Sequence, residues 1–164
     1  MKRYLRRIQL AALTTIYEGA GAFIPGNILL VGEQAANTKK DSNQQPFCSD
    51  YGCSGWLNDL LDEADIPEEK LFWLNALYND GTPIVLKPMV LTCKPSIVVA
   101  LGTVARKLCR DNYVEHQFFY HPQYWRRFKS KQRYPLLDFL IEHTKNIPER
   151  CFELESINRS ADQP

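Results

Sequence analysis

A chain of 164 residues suits one domain, 1–164, with one core, and 45% hydrophobic against 24% charged residues is the balance of an ordinary globular protein. The net charge of +1 does not by itself announce a nucleic-acid binder, and no apolar run approaches a membrane span. Five cysteines (Cys48, Cys53, Cys93, Cys109, Cys151) are an odd number with no CxxC pair, which predicts reduced thiols in a cytoplasmic protein rather than a paired secreted framework.

Residues 3–18 predict a first helix, with Leu5, Ile8, Ala12 and Ile16 at helical spacing. Its basic start and the apolar run Leu10 to Leu13 loosely imitate a signal peptide. Gln9, Thr14, Thr15 and Glu18 interrupt that run, so an amphipathic helix is the better reading. Gly19, Gly21, Pro25 and Gly26 predict a loop, and 27–33 a strand buried on both faces. Residues 34–54 are polar and aperiodic, a loop long enough to be functional or disordered. A helix is expected over 55–64, with Trp56, Leu57, Leu60 and Leu61 inward, then a second buried strand over 71–77. A turn-rich loop at 78–84 precedes a helix at 85–94, despite Pro88. Residues 96–102 are the clearest strand, followed by Thr103 as N-cap of a helix over 104–109. A short fourth strand, 117–120, ends at His121-Pro122, and the last helix carries Leu136, Leu137, Phe139, Leu140 and Ile141. The tail from about residue 152 is expected to fray.

Apolar strands alternating with helices predict an α/β fold, a three-layer α/β/α sandwich around a central four-stranded parallel sheet. Ligands of such sheets sit outside the carboxyl ends of the strands. Glu33, Asn75, Gly102 and His121 all fall at or near those ends, although apolar runs alone define the strands. No GxxxxGK[ST] or GxGxxG element is present, which argues against phosphate or dinucleotide chemistry. Two basic runs stand out: Lys2, Arg3, Arg6 and Arg7, and then Arg126, Arg127, Lys129, Lys131 and Arg133.

Several segments, in order, resemble the iron–sulfur-type (family 4) uracil-DNA glycosylases. Gly32-Glu33-Gln34-Ala35-Ala36 stands where that family has GEAPG, and Gln45-Pro46-Phe47 is similar to its RPF segment. Gly55 to Leu61 resembles GKLLDELL, Leu74-Asn75-Ala76 resembles TNV, and Pro95 to Gly102 is similar to PKVVVALG. Tyr120-His121-Pro122-Gln123-Tyr124 resembles YHPAY. The likeness runs over roughly 27–142.

The resemblance implies a uracil-DNA glycosylase-like fold and a pocket for a base flipped out of DNA. Phe47 would stack on the base, Asn75 and Gln34 would bind its edge, and His121 would hydrogen-bond its O2. Glu33 would stabilise the sugar cation or position water, with Asp41 a weaker second carboxylate. Tyr124, Trp125, Arg126, Arg127 and Lys129 would contact DNA, by a wedge and by phosphate contacts.

The chain departs from the family at Ala35-Ala36, where Pro-Gly is expected, and lacks the cluster cysteines, so neither an iron–sulfur cluster nor any other metal or cofactor is predicted. The expected activity is that of a monofunctional DNA glycosylase for uracil or a modified pyrimidine, since no Lys is poised as a Schiff-base nucleophile. The alternative is a catalytically inactive DNA- or modified-base-binding protein on the same fold. The expected partner is DNA, single- or double-stranded, with no membrane and a monomeric state.

Overall fold

The structure, a computed structural model, describes residues 1–14, 18–34, 45–150 and 152. These form an α/β fold with a five-stranded mixed sheet and six α-helices. The strands are β1 (Ala20–Gly21), β2 (Ile28–Gly32), β3 (Leu71–Asn75), β4 (Ile97–Leu101) and β5 (Gln117–Phe119), in the order β1-β3-β2-β4-β5. The helices are α1 (Arg3–Thr14), α2 (Gly52–Glu63), α3 (Leu86–Cys93), α4 (Thr103–Asp111), α5 (Pro122–Phe128) and α6 (Pro135–Thr144).

Strands β3, β2, β4 and β5 are parallel, and side chains on successive residues enter opposite cores. Ile28, Leu30, Leu71, Trp73, Val99 and Leu101 face one core, which α2, α5 and α6 cover. Leu29, Val31, Phe72, Leu74, Val98 and Ala100 face the other, covered by α3 and α4. This burial on both faces explains why the strands read as unbroken apolar runs.

The chain passes from β2 to β3 on one side and then crosses to β4 on the other. That reversal opens a crevice at the carboxyl end of β2.

The sheet differs from the expected four parallel strands. Residues 20 and 21, read as loop because of their glycines, pair antiparallel with Trp73 and Phe72 and add an edge strand. Two residues carry no readable period, so only the partner strand reveals them. Helix α1 ends at Thr14 rather than 18; residues 15–17 lie outside the described residues. Helix α2 starts at Gly52, three residues before the expected start. Thr103 is the first residue of α4 rather than its cap; Gly102, at φ 96°, takes the cap position. Pro88 is harmless in α3 because it stands in the first turn, where a backbone N–H has no intrahelical acceptor. Helix α5 was not expected. His121 caps it and Pro122 opens it. The expected fraying of the tail concerns residues 153–164, which lie outside the described residues.

A buried ionic knot ties α1 to the sheet. Arg7 has no exposed surface, and its Nε donates to Glu68 Oε1 at 2.6 Å. Glu68 also accepts from Arg3 Nη1 at 2.8 Å and from Trp73 Nε1 at 3.0 Å. The Arg7 guanidinium lies 3.9 Å from the centre of the Trp73 ring. Removing one member of a buried pair strands the other, so Arg7→Met is expected to cost about 3–5 kcal/mol. The measurement is the urea midpoint, which should fall with the slope of the transition unchanged.

Candidate functional site

The site grows from the end of β2. Gly32 pairs with Asn75 across the β2–β3 ladder. A Cβ on Gly32 would stand 2.7 Å from Phe47 Cε2 and 3.2 Å from Asn75 Oδ1, so only glycine allows the ring and the carboxamide to meet there. On the other side of β2, Gly102 follows β4, and a Cβ there would stand 3.0 Å from His121 Cβ. The Phe47 and His121 rings are 5.9 Å apart, tilted by 35°. Glu33, Gln34, Phe47, Cys53, Asn75 and His121 line one cleft of about 90 Å³. A second cavity of about 260 Å³ adjoins it at Asn75 and Gln45.

Phe47 adopts a left-handed backbone, φ 53°, which costs a residue with a Cβ roughly 1–2 kcal/mol. Its carbonyl accepts from Arg7 Nη1 at 2.7 Å and from Asn58 Nδ2 at 3.0 Å. Asn58 also accepts from Arg7 Nη2 at 2.9 Å. A hydrogen bond from a charged donor contributes about 1.5–3 kcal/mol, enough to offset the strain. The ring leans on Trp73 at 5.5 Å. The ionic knot therefore sets the position of Phe47.

His121 is half-buried, and its Nδ1 accepts the Gln123 backbone N–H at 3.1 Å. With Nδ1 an acceptor, the neutral ring carries its proton on Nε2. Burial lowers the pKa of His121 below the usual histidine value, and the nearby Glu33 carboxylate partly opposes that shift. This shift favours the neutral ring, with Nε2–H as a donor.

Glu33 follows β2 and is exposed; its backbone carbonyl accepts from Leu77 N at 2.9 Å. Asn75 is half-buried. Neither side chain hydrogen-bonds to another described residue. Gln34 is different: its Nε2 donates to the carbonyls of Tyr78 and Asn79 at 3.0 and 3.1 Å, fastening the β2 corner to the loop after β3. Asp41 and the Ala35-Ala36 corner lie outside the described residues.

The structure divides the expected DNA-contacting stretch. Tyr124, Arg126 and Arg127 are exposed on α5, and Lys129 is half-buried just after it. Trp125 points inward: it is 7% exposed, its Nε1 donates to Gln132 O at 3.1 Å, and it stacks on Tyr134 at 5.5 Å. It braces the arm and does not stand on its surface.

Cys53, Cys93 and Cys109 are free thiols. Burial raises the Cys53 thiol, against a smaller pull from Arg126 and Arg127, and pushes Cys109 up to about 11. Among the described residues, no group of three or more His, Cys, Asp or Glu side chains is arranged to hold a metal ion. No helix among them is long and apolar enough to cross a membrane.

Sequence reasoning missed Arg7, Asn58 and Glu68. A signal existed for two of them. Arg7 shares the buried face of α1 with Leu10 and Ala11, and Asn58 sits among Leu57 and Leu61 on α2. A polar group within an apolar stripe needs a partner. No protein-family model matches the chain, and a search of curated proteins found no match.

Neutralising Glu33 removes the charge that favours imidazolium. Glu33→Gln should therefore lower the His121 pKa further. An NMR titration of the ring nitrogens reads both the shift and the Nε2–H tautomer.

Proposed function

We propose that the cleft takes a single pyrimidine extruded from DNA, and that the protein is a monofunctional DNA glycosylase for uracil or a modified pyrimidine. The fold belongs to this reading: a three-layer α/β/α sandwich of the uracil-DNA glycosylase type. Helices on both faces of the parallel strands β3-β2-β4-β5 support it, with β1 an added edge. The observation that carries the function is His121, with Nδ1 accepting the Gln123 N–H and Nε2 unpaired among the described residues, lining one cleft with the Phe47 ring and the Asn75 carboxamide.

The chemistry follows from these groups. The base stacks on Phe47. Asn75 Nδ2 donates to O4 of the pyrimidine and Oδ1 accepts its N3–H, a pattern that cytosine reverses. Breaking the glycosidic bond sends the electron pair into the base, where His121 Nε2–H stabilises the charge on O2. The Glu33 carboxylate stabilises the sugar cation and takes the proton from the water that adds to it.

A duplex carrying one uracil, treated with the protein and then alkali, tests this reading. Strand scission is expected. His121→Ala and Glu33→Gln should each slow base release by about 10²–10³-fold. Unchanged rates in both variants would reject the site.

The exposure of Glu33 and the Ala35-Ala36 corner favour a second reading, a base-binding protein without chemistry. Tight binding with no release across a panel of altered pyrimidines would select it.

A further inference from the structure

Beyond the cleft, Tyr120 and the outer side of α5 together form a ladder of rings. Tyr120 and Tyr124 stack at 4.9 Å, tilted by 29°, and Tyr124 meets Phe128 at 5.1 Å. These three side chains are 51%, 40% and 69% exposed. Phe118 extends the strip, edge-on to Tyr120 at 5.6 Å, and the Arg106 guanidinium caps it 4.0 Å from the Phe118 ring. The ladder is braced from behind. Trp125 lies 6.3 Å from Tyr120 and stacks on Tyr134, whose hydroxyl donates to the Tyr120 carbonyl.

Single exposed aromatics are ordinary; a contiguous, rigidly backed row is a recognition surface. Its charge says what it recognises. From His116 to Leu137 there is no acidic residue, while Arg126, Arg127, Lys129, Lys131 and Arg133 all fall in that stretch. Among the described residues only Arg133 of these five forms an ion pair, with Asp138.

We infer that the Tyr120–Tyr124–Phe128 ladder is a stacking platform for unpaired bases, so that the protein engages single-stranded DNA in preference to duplex. This rests on the reading of the cleft as a base site in DNA. The π-faces suit bases already free of a helix, and the basic side chains beside them suit the backbone between those bases. A wedge would need one projecting side chain; here three rings form a row and the intervening Trp125 is buried. His121 follows Tyr120 directly, so the platform begins where the cleft ends.

Fluorescence anisotropy with an undamaged oligothymidylate and with the matching duplex tests the platform. The wild type should bind the single strand about tenfold more tightly than the duplex. Phe128→Ala and Tyr124→Ala should each weaken single-strand binding by about tenfold, whereas Phe128→Tyr keeps it, because any ring offers a π-face. Tyr113→Ala, which removes a lone ring 89% exposed at the other end of the sheet, should change nothing. Arg127→Gln should flatten the salt dependence, with a slope smaller by about 0.7. Preference for duplex, or ladder variants that bind like wild type, would overturn the platform, as would equal loss in the Tyr113 control. Uracil release is followed in parallel. Wild-type protein that binds single strands through the ladder but releases no base loses the glycosylase reading and keeps the platform. Base release together with unchanged single-strand binding in every ladder variant keeps the glycosylase reading and loses the platform.

Discussion

A guanidinium with no exposed surface cannot stay in a protein interior without its full set of acceptors, and that demand organises this fold. Arg7 meets it with the Glu68 carboxylate, the Asn58 amide oxygen and the Phe47 carbonyl. Each acceptor belongs to a different part of the chain. Glu68 lies just before β3, Asn58 lies on α2, and Phe47 lies before α2. One side chain on α1 therefore fixes the mutual position of four segments, and the one nearest the cleft carries its aromatic face. Trp73 shares the knot from the sheet side, donating to Glu68 while its ring underlies both the guanidinium and Phe47.

The cleft divides its labour between rigid and responsive parts. Asn75 and Gly32 stand on paired strands, and their separation is set by the ladder. His121 is held at two points, by contact with Gly102 and by its hydrogen bond to the Gln123 N–H. That hydrogen bond does two things at once: it caps α5 and fixes the tautomer of the ring. Burial then favours the neutral imidazole, against the smaller pull of Glu33. A neutral donor lining a small cleft suits charge that develops on a leaving group, because it needs no reorganisation when the charge appears.

Helix α5 joins that cleft to the outer surface. Its first residues position His121, its inner side buries Trp125 against Tyr134, and its outer side presents the ring ladder. The absence of acids from His116 to Leu137 gives the surface a local positive character that the net charge of +1 conceals.

The apolar runs at 28–32, 71–75 and 97–101 were legible because both faces of a central parallel strand are buried, so no polar residue interrupts them. The rim positions of Glu33, Asn75 and His121 followed, since a strand's end is where its apolar run stops. Strand β1 was hidden because two residues define no period and its hydrogen bonds belong to β3. Helix α5 was hidden because Pro122 reads as a breaker unless His121 is known to cap it. The inward turn of Trp125 was equally invisible, since its partner Tyr134 lies beyond the basic run. By itself the sequence determined the alternation of strands and helices and the residue types at the sheet's rim, because local hydrophobic patterning encodes both. Only the tertiary structure decided that Arg7 holds Phe47 and which rings of the arm face water. Those outcomes depend on contacts between residues 40 or more positions apart in one case, and on how a helix rotates against its neighbours in the other.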